Sequence, residues 1–262
     1  MRRLLTAVAL VLLSAGAGWG QQTTAPARFT FRMGAGYDQG DFGSTEVSKA
    51  YYAPFSLRYT GKRFDLGVSS AYVRIDTAGG VRLIDGVPTQ TDSSSGPLLE
   101  SGIGDTTVRS RFFLVVDEGR GTAKPSVTPF VKVKIPTAQE QRGLGTGKAD
   151  YGVGVEVDKE VGPIFLFGDV AYTVVGKIPS LDFRNRTAAS LGLGRQVSEK
   201  LTVSSMLDWR RAIIAGNTNP AELVGVLSYR VNRSVTLSPN AFAGLTRGSS
   251  DFGVGMQMSF KF

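Results

Sequence analysis

The last twelve residues of the chain alternate without a break. Phe252, Val254, Met256, Met258, Phe260 and Phe262 fall on one face, and Asp251, Gly253, Gly255, Gln257, Ser259 and Lys261 on the other. A period of two is the signature of a β-strand. A wholly apolar face opposite a small, polar one predicts a strand that turns one side to lipid and the other to a lumen. The pattern recurs along the chain. It predicts further strands at Phe29–Tyr37, Tyr51–Thr60, Phe64–Ile75, Gly104–Val116, Ser126–Ile135 and Asp150–Asp158. The second half adds Ile164–Val175, Arg186–Val197, Leu201–Arg210, Glu222–Val231 and Val235–Leu245. Most are near the ~9–11 residues that a tilted strand needs to cross a bilayer. The third slips phase near Ser70, as at a β-bulge, and Pro239 fits its strand poorly.

The connections alternate in length. Gly61–Arg63, Lys159–Pro163, Ser198–Lys200 and Asn232–Ser234 are short, and Asp117–Lys124 is somewhat longer. Between them lie Asp38–Ala50, Asp76–Ile103, Pro136–Ala149, Gly176–Asn185 and Arg211–Ala221, with only Thr246–Ser250 brief. Short periplasmic turns and longer outer loops are the habit of outer-membrane barrels. The expected fold is all-β, a transmembrane antiparallel up-and-down β-barrel of twelve strands with both ends on the periplasmic side. The widest loop, Asp76–Ile103, is rich in Gly, Ser, Thr and Asp and is expected either to fold inward or to stay mobile.

The N-terminus adds export. Arg2 and Arg3 precede an apolar run from Leu4 to Leu13, followed by the small residues Ser14 to Gly18. That order is a secretory signal peptide, and its apolar run is too short to span a bilayer as a helix. Cleavage after Ala17 or after Gly20 fits, the latter better. The domain reading is a signal peptide at 1–20 and a barrel at 21–262. The terminal Phe262 resembles the C-terminal signal by which barrel-insertion machinery recognises its clients.

Composition removes most chemistry. There is no histidine and no cysteine. The usual general base, triad partner, thiolate and soft metal ligand are therefore missing, and no catalytic or metal-binding residue and no cofactor are expected. Gly143–Lys148 (GLGTGK) lacks the spacing and following Ser/Thr of a phosphate loop. The net charge of +8 comes without a basic block interleaved with aromatics, so nucleic acid is not an expected partner. Mean hydropathy is -0.01 and no second long apolar run exists, which leaves no transmembrane helix. The 33 glycines fall largely on the polar faces, where small residues leave lumen space.

The polar faces carry the candidate pore-lining residues. They are Arg32, Arg58, Arg109, Arg111, Lys132, Lys134, Arg210 and Arg230, with Asp105, Glu156, Asp169 and Asp208. Arg186, Lys261, Asp65, Glu222 and Asp251 share that phase. Arg109/Arg111 and Lys132/Lys134 lie on consecutive strands, and antiparallel pairing brings the four together as an anion-favouring constriction. The bland reading is that these charges form salt bridges that merely hold the wall, since twelve strands lie between filled and open barrels. Phe113, Phe130, Phe165, Phe167 and Phe242 also point inward, either as lumen packing or as a path for an apolar solute.

Three short motifs come in order: Ser101-Gly102-Ile103-Gly104-Asp105, then Lys134-Ile135-Pro136-Thr137, then Gly145-Thr146-Gly147-Lys148-Ala149-Asp150, with Gly168-Asp169-Val170-Ala171-Tyr172 beyond. This order resembles the outer-membrane family named after the meta-cleavage pathway of phenol degradation, most clearly from Ser101 to Val175. The glycine usual after Pro-Thr is Ala138 here. The resemblance implies a barrel of about twelve strands that passes small, often aromatic, compounds. From the residues alone, Asp105 and Asp150 are strand-boundary groups that hydrogen-bond the adjacent loop or pair an inward Arg. The functional expectation is a passive outer-membrane channel for small solutes, anionic or aromatic, set in outer-membrane lipid. The alternative is a closed structural barrel whose outer loops bind a partner.

Overall fold

A computed structural model describes residues 28–40, 47–77, 81–84, 87–90, 98–116, 124–178 and 182–262. The signal segment lies outside them. The strands are β1 (Arg28–Gly40), β2 (Ser48–Thr60), β3 (Phe64–Thr77), β4 (Val81–Ile84), β5 (Val87–Gln90), β6 (Leu98–Ile103), β7 (Thr106–Phe112) and β8 (Ser126–Ile135). Then come β9 (Asp150–Val161), β10 (Ile164–Val174), β11 (Arg186–Gln196), β12 (Leu201–Arg210), β13 (Ala221–Arg230), β14 (Val235–Gly244) and β15 (Phe252–Lys261). Each strand of the wall pairs antiparallel with its sequence neighbour, β15 returns to β1, and β2–β3 pairing completes the ring. Because β6 and β7 form one wall strand and β4–β5 is a separate hairpin, the wall has twelve strands. The fold is a closed antiparallel barrel, as the alternation predicts.

Closure satisfies the backbone within the wall, which is what lipid demands. The outward face is apolar, with Met33, Phe55, Leu57, Leu66, Val68, Leu191 and Val254 exposed. Two aromatic belts border it. At one edge Phe262, Phe29, Tyr59 and Phe64 follow one another, with ring centroids 6.2, 5.3 and 5.9 Å apart. At the other, Tyr37 lies 5.1 Å from Tyr51 and 6.4 Å from Phe252. Aromatic girdles at both interfaces with aliphatics between them define a membrane span. No described helix is long and apolar enough to cross, so the strands carry it.

Three features of the wall depart from expectation by more than a shift of strand ends. The bulge is not at Ser70 but on the strand opposite. Tyr72 pairs with Ile103 and Ser69 with Thr107, so three steps on β3 face four on the neighbouring strand. The extra residue falls at Gly104–Asp105, where the Gly104 N–H donates to Ala71 O at 2.8 Å. A bulge reverses which parity faces inward. That reversal hid β6, and the loop expected from Asp76 to Ile103 is correspondingly shorter. The turn after β9 is also tighter than expected: only Gly162 and Pro163 separate β9 from β10, with Gly162 at φ 63. Pro239 is accommodated by interruption. The β13–β14 ladder skips from Val226↔Asn240 to Tyr229↔Leu237, because the proline has no N–H to offer.

Two connections at the end with the longer loops turn into the barrel mouth. In the β8–β9 connection, Leu144 is buried against the inward residues Ala50, Tyr52, Val73 and Ile75, together with Ala138. From the β4–β5 hairpin, Ile84 is buried with Val175, Ile178, Phe183 and Ile213. The hairpin is the part of the widest loop that folds inward.

Candidate functional site

The inward positions sort into three groups. The first is a charged equator on β1, β2, β3, β7 and β9. Arg109 Nη2 lies 2.6 Å from Glu156 Oε1, and Arg111 Nη1 lies 3.2 Å from Glu156 Oε2. Arg111 also donates to Asp65, from Nε at 2.8 Å and from Nη2. Arg58 shares this electrostatic neighbourhood with Arg111, Arg32, Asp65 and Glu156. Register places Arg32 opposite Ser56 and Arg58 opposite Thr30, which makes the two arginines diagonal neighbours facing the lumen. Among the described residues, neither forms an ion pair, and Arg32 Nε is buried with no hydrogen-bond partner.

The second group is an apolar wall. Phe167, Met206, Val224, Val226 and Phe242 pack together with Phe165 against them. Phe130 stands outside this cluster, beside the arginines, with the Arg109 guanidinium carbon 3.7 Å from its ring centroid. Every one of these inward rings on a wall strand lies opposite a glycine. Phe130 faces Gly154, Phe165 faces Gly194, Phe167 faces Gly192 and Phe242 faces Gly253. A Cβ at any of those glycines would collide with the ring. The glycines therefore let the rings lie flat along the wall, and the expected lumen space is partly filled by aromatic faces. Phe113 lies just beyond β7, its N–H donating to Arg63 O at 2.9 Å.

The third group is a node at the outer mouth, where the three sequence motifs converge. Lys134 Nζ lies 3.1 Å from Asp105 Oδ2 and 2.9 Å from Asp150 Oδ2, and donates to Thr146 Oγ1 at 3.2 Å. All three charged side chains are 5% exposed or less. Asp105 Oδ1 accepts from the Ala138 N–H at 3.1 Å, and Asp150 Oδ1 from the Gly176 N–H at 2.7 Å. Thr137 Oγ1 donates to Gly104 O at 3.0 Å. The two carboxylates bond adjacent loops as expected, but the cation they share is a lysine rather than an arginine.

The remaining candidates divide. Asp169 accepts from the Ser190 hydroxyl and lies in electrostatic range of Arg109. Arg210 is held between Asp208 at 2.6 Å and Glu222 at 2.6 Å. Lys132 stands directly opposite Arg109 across the β7–β8 ladder. Arg230 is exposed at the end of β13. The four expected constriction cations thus do not form one ring. Arg109 and Arg111 are neutralised at the equator, and Lys134 is neutralised at the mouth. Sequence reasoning missed Leu144 and Ile84. The signal for Leu144 was a lone large aliphatic inside a Gly- and Thr-rich loop, and for Ile84 a short, mostly apolar run, Val81 to Ile84, inside the widest loop.

The architecture also finds matches outside this chain. Neither a protein-family model nor a curated protein matches the sequence. Among solved structures, the chain is similar to the COG4313 outer membrane channel from Pseudomonas putida F1. The TM-score is 0.63 at 15% identity, over 94% of this chain and 99% of that one. This is an outer-membrane β-barrel. NanC porin matches with a TM-score of 0.58 at 12% identity, over 88% of this chain and 100% of that one. KdgM porin matches at 0.55 and 7%, over 90% and 99%. At these identities the likeness is one of fold. A closed twelve-strand wall with a lipid-facing belt, shared with outer-membrane channels, places the barrel in the bacterial outer membrane.

Proposed function

We propose that this barrel is a passive outer-membrane channel for small solutes, with a preference for anionic and aromatic ones. The observation that carries the reading is a lumen with two unlike walls. Four arginines on β1, β2 and β7 outnumber the two carboxylates among them, and β10 and β12–β14 carry an aromatic–aliphatic wall. A purely structural interior needs neither a surplus of like charge nor rings held flat on glycines. The convergence of the three motifs on Lys134 supports membership in the family of the meta-cleavage pathway type. Residues 1–20 act as the export signal in this reading, and Phe262 addresses the insertion machinery. Transport here needs no catalytic residue, so the barrel is read as a non-enzyme.

A second reading has its own support. Phe130, Phe167, Met206, Val224 and Val226 are buried although they face the lumen, as in a filled barrel. Single-channel conductance of the purified barrel in planar bilayers, under a salt gradient, separates the two. Discrete openings with an anion-favouring reversal potential are expected. A folded but silent barrel would leave the closed structural reading in possession.

A further inference from the structure

We propose that Arg32 and Arg58 form a binding site for the carboxylate of a small aromatic monoacid, whose ring lies along Phe130 and the Phe167–Met206 wall. The proposal rests on the channel reading and names the solute class of the same lumen.

The argument begins with charge. The equator holds Arg32, Arg58, Arg109 and Arg111, and the carboxylates of Asp65 and Glu156 are both taken by Arg109 and Arg111. Two guanidinium groups remain. Arg32 is 5% exposed, and its Nε has no hydrogen-bond partner. A buried charge is expensive unless it is paired and hydrogen-bonded, so this pair of cations favours an incoming anion. The planar guanidinium fork matches a carboxylate in a way that a point charge does not. Two forks on diagonal positions of β1 and β2 can grip one such group.

The rest of the solute is set by what surrounds the arginines. Arg109 already covers one face of Phe130 at 3.7 Å, so the path from the cations runs onto aromatic surface. Past Arg109 lies Asp169, two residues from Phe167, whose cluster with Met206 forms the apolar part of the lumen wall. Asp169 stands next to Phe167 on the same inward face, in electrostatic range of Glu156 and Asp208. Glu156 and Asp208 are held by arginines, so a second negative charge reaching that wall meets Asp169. The lumen therefore selects one anionic end and one apolar end, a monoacid over a diacid.

The test uses the barrel purified from outer membranes in detergent, with benzoate, benzyl alcohol and terephthalate as probes in titration calorimetry. Benzoate is expected to bind more tightly than either of the others. Arg58→Gln is expected to weaken benzoate about tenfold, as for loss of one charge-assisted pair. Arg58→Lys restores the charge without the fork and recovers only part of that loss, and the Arg32→Gln/Arg58→Gln double variant abolishes binding. Benzyl alcohol binding stays unchanged throughout. Among the described residues Arg58 holds no carboxylate, so its replacement orphans no buried charge there, and heat-modifiable gel migration confirms that each variant is folded. Benzoate affinity that is indifferent to Arg58→Gln in a folded barrel would overturn the site, as would benzyl alcohol binding equally well. Conductance separates this from the channel reading. A conducting barrel without arginine-dependent benzoate binding loses the site and keeps the channel. A silent barrel with arginine-dependent binding does the reverse.

Discussion

Lys134 and Arg58 occupy equivalent places in the alternating pattern, each an inward cation on a wall strand, and the fold treats them in opposite ways. Lys134 is locked between Asp105 and Asp150, with Thr146 as a third partner, and its charge is spent on holding two loops to the mouth. Arg58 sits among Arg32, Arg111, Asp65 and Glu156 and, among the described residues, has no ion pair of its own. The first is a rivet, the second an open charge. An inward basic residue is thus a pore charge only after its partners have been counted, and a list of lumen-facing cations overstates selectivity.

The contrast can be broken most directly at the rivet. Lys134→Met leaves two buried carboxylates without their cation. It should cost about 3–5 kcal/mol, read as a lowered urea midpoint of the folded barrel. Arg58→Met orphans no partner and should leave that midpoint close to the parent's. Equal losses in the two variants would erase the distinction. Next in size is Leu144→Ala, which empties a site packed against Tyr52, Val73 and Ile75 and should cost about 2–3 kcal/mol. It should also open 136–149 to proteolysis while the wall persists. At the equator, Glu156→Gln should cost roughly 1–2 kcal/mol by weakening two charged hydrogen bonds. Its sharper effect is electrical: with one carboxylate gone, the reversal potential under a salt gradient should move further towards anions. A shift towards cations would put the ion path somewhere other than past Arg109 and Arg111.

Much of the wall was legible because alternation is local. Residues such as Phe55, Leu57 and Leu66 announce their outward face by parity alone, and the register preserves it. The pairing of charges was not legible, because it depends on contacts far apart in sequence. Arg111 and Asp65 are separated by 46 positions and meet only through the β3–β7 register. The missed strand β6 failed for a different reason. Its parity is reversed by the extra residue at Gly104–Asp105, so its inward and outward positions contradict those of β7. Asp105 and Asp150 could be assigned to loop bonding from their place at strand boundaries. That they share one lysine followed only when three segments were brought together.

The smallest expected effect tests which contact holds the β8–β9 loop. Arg142 and Glu100 also tie that loop to β6, with Nε 2.6 Å from Oε2, the same separation as Arg109 and Glu156 in the lumen. Distance alone would rank it with the Lys134 node. Exposure argues otherwise: the Arg142 side chain is 44% exposed, whereas the Lys134 side chain is 3% exposed. In water the attraction is screened, and fixing two long side chains costs entropy, so Arg142→Ala should lower stability by less than about 1 kcal/mol. The loop should remain protected from protease, because Leu144 and the Lys134 node are untouched. If Arg142→Ala instead freed the loop as readily as Lys134→Met, the latch would lie at the rim. The buried node would then be a consequence of loop closure rather than its cause.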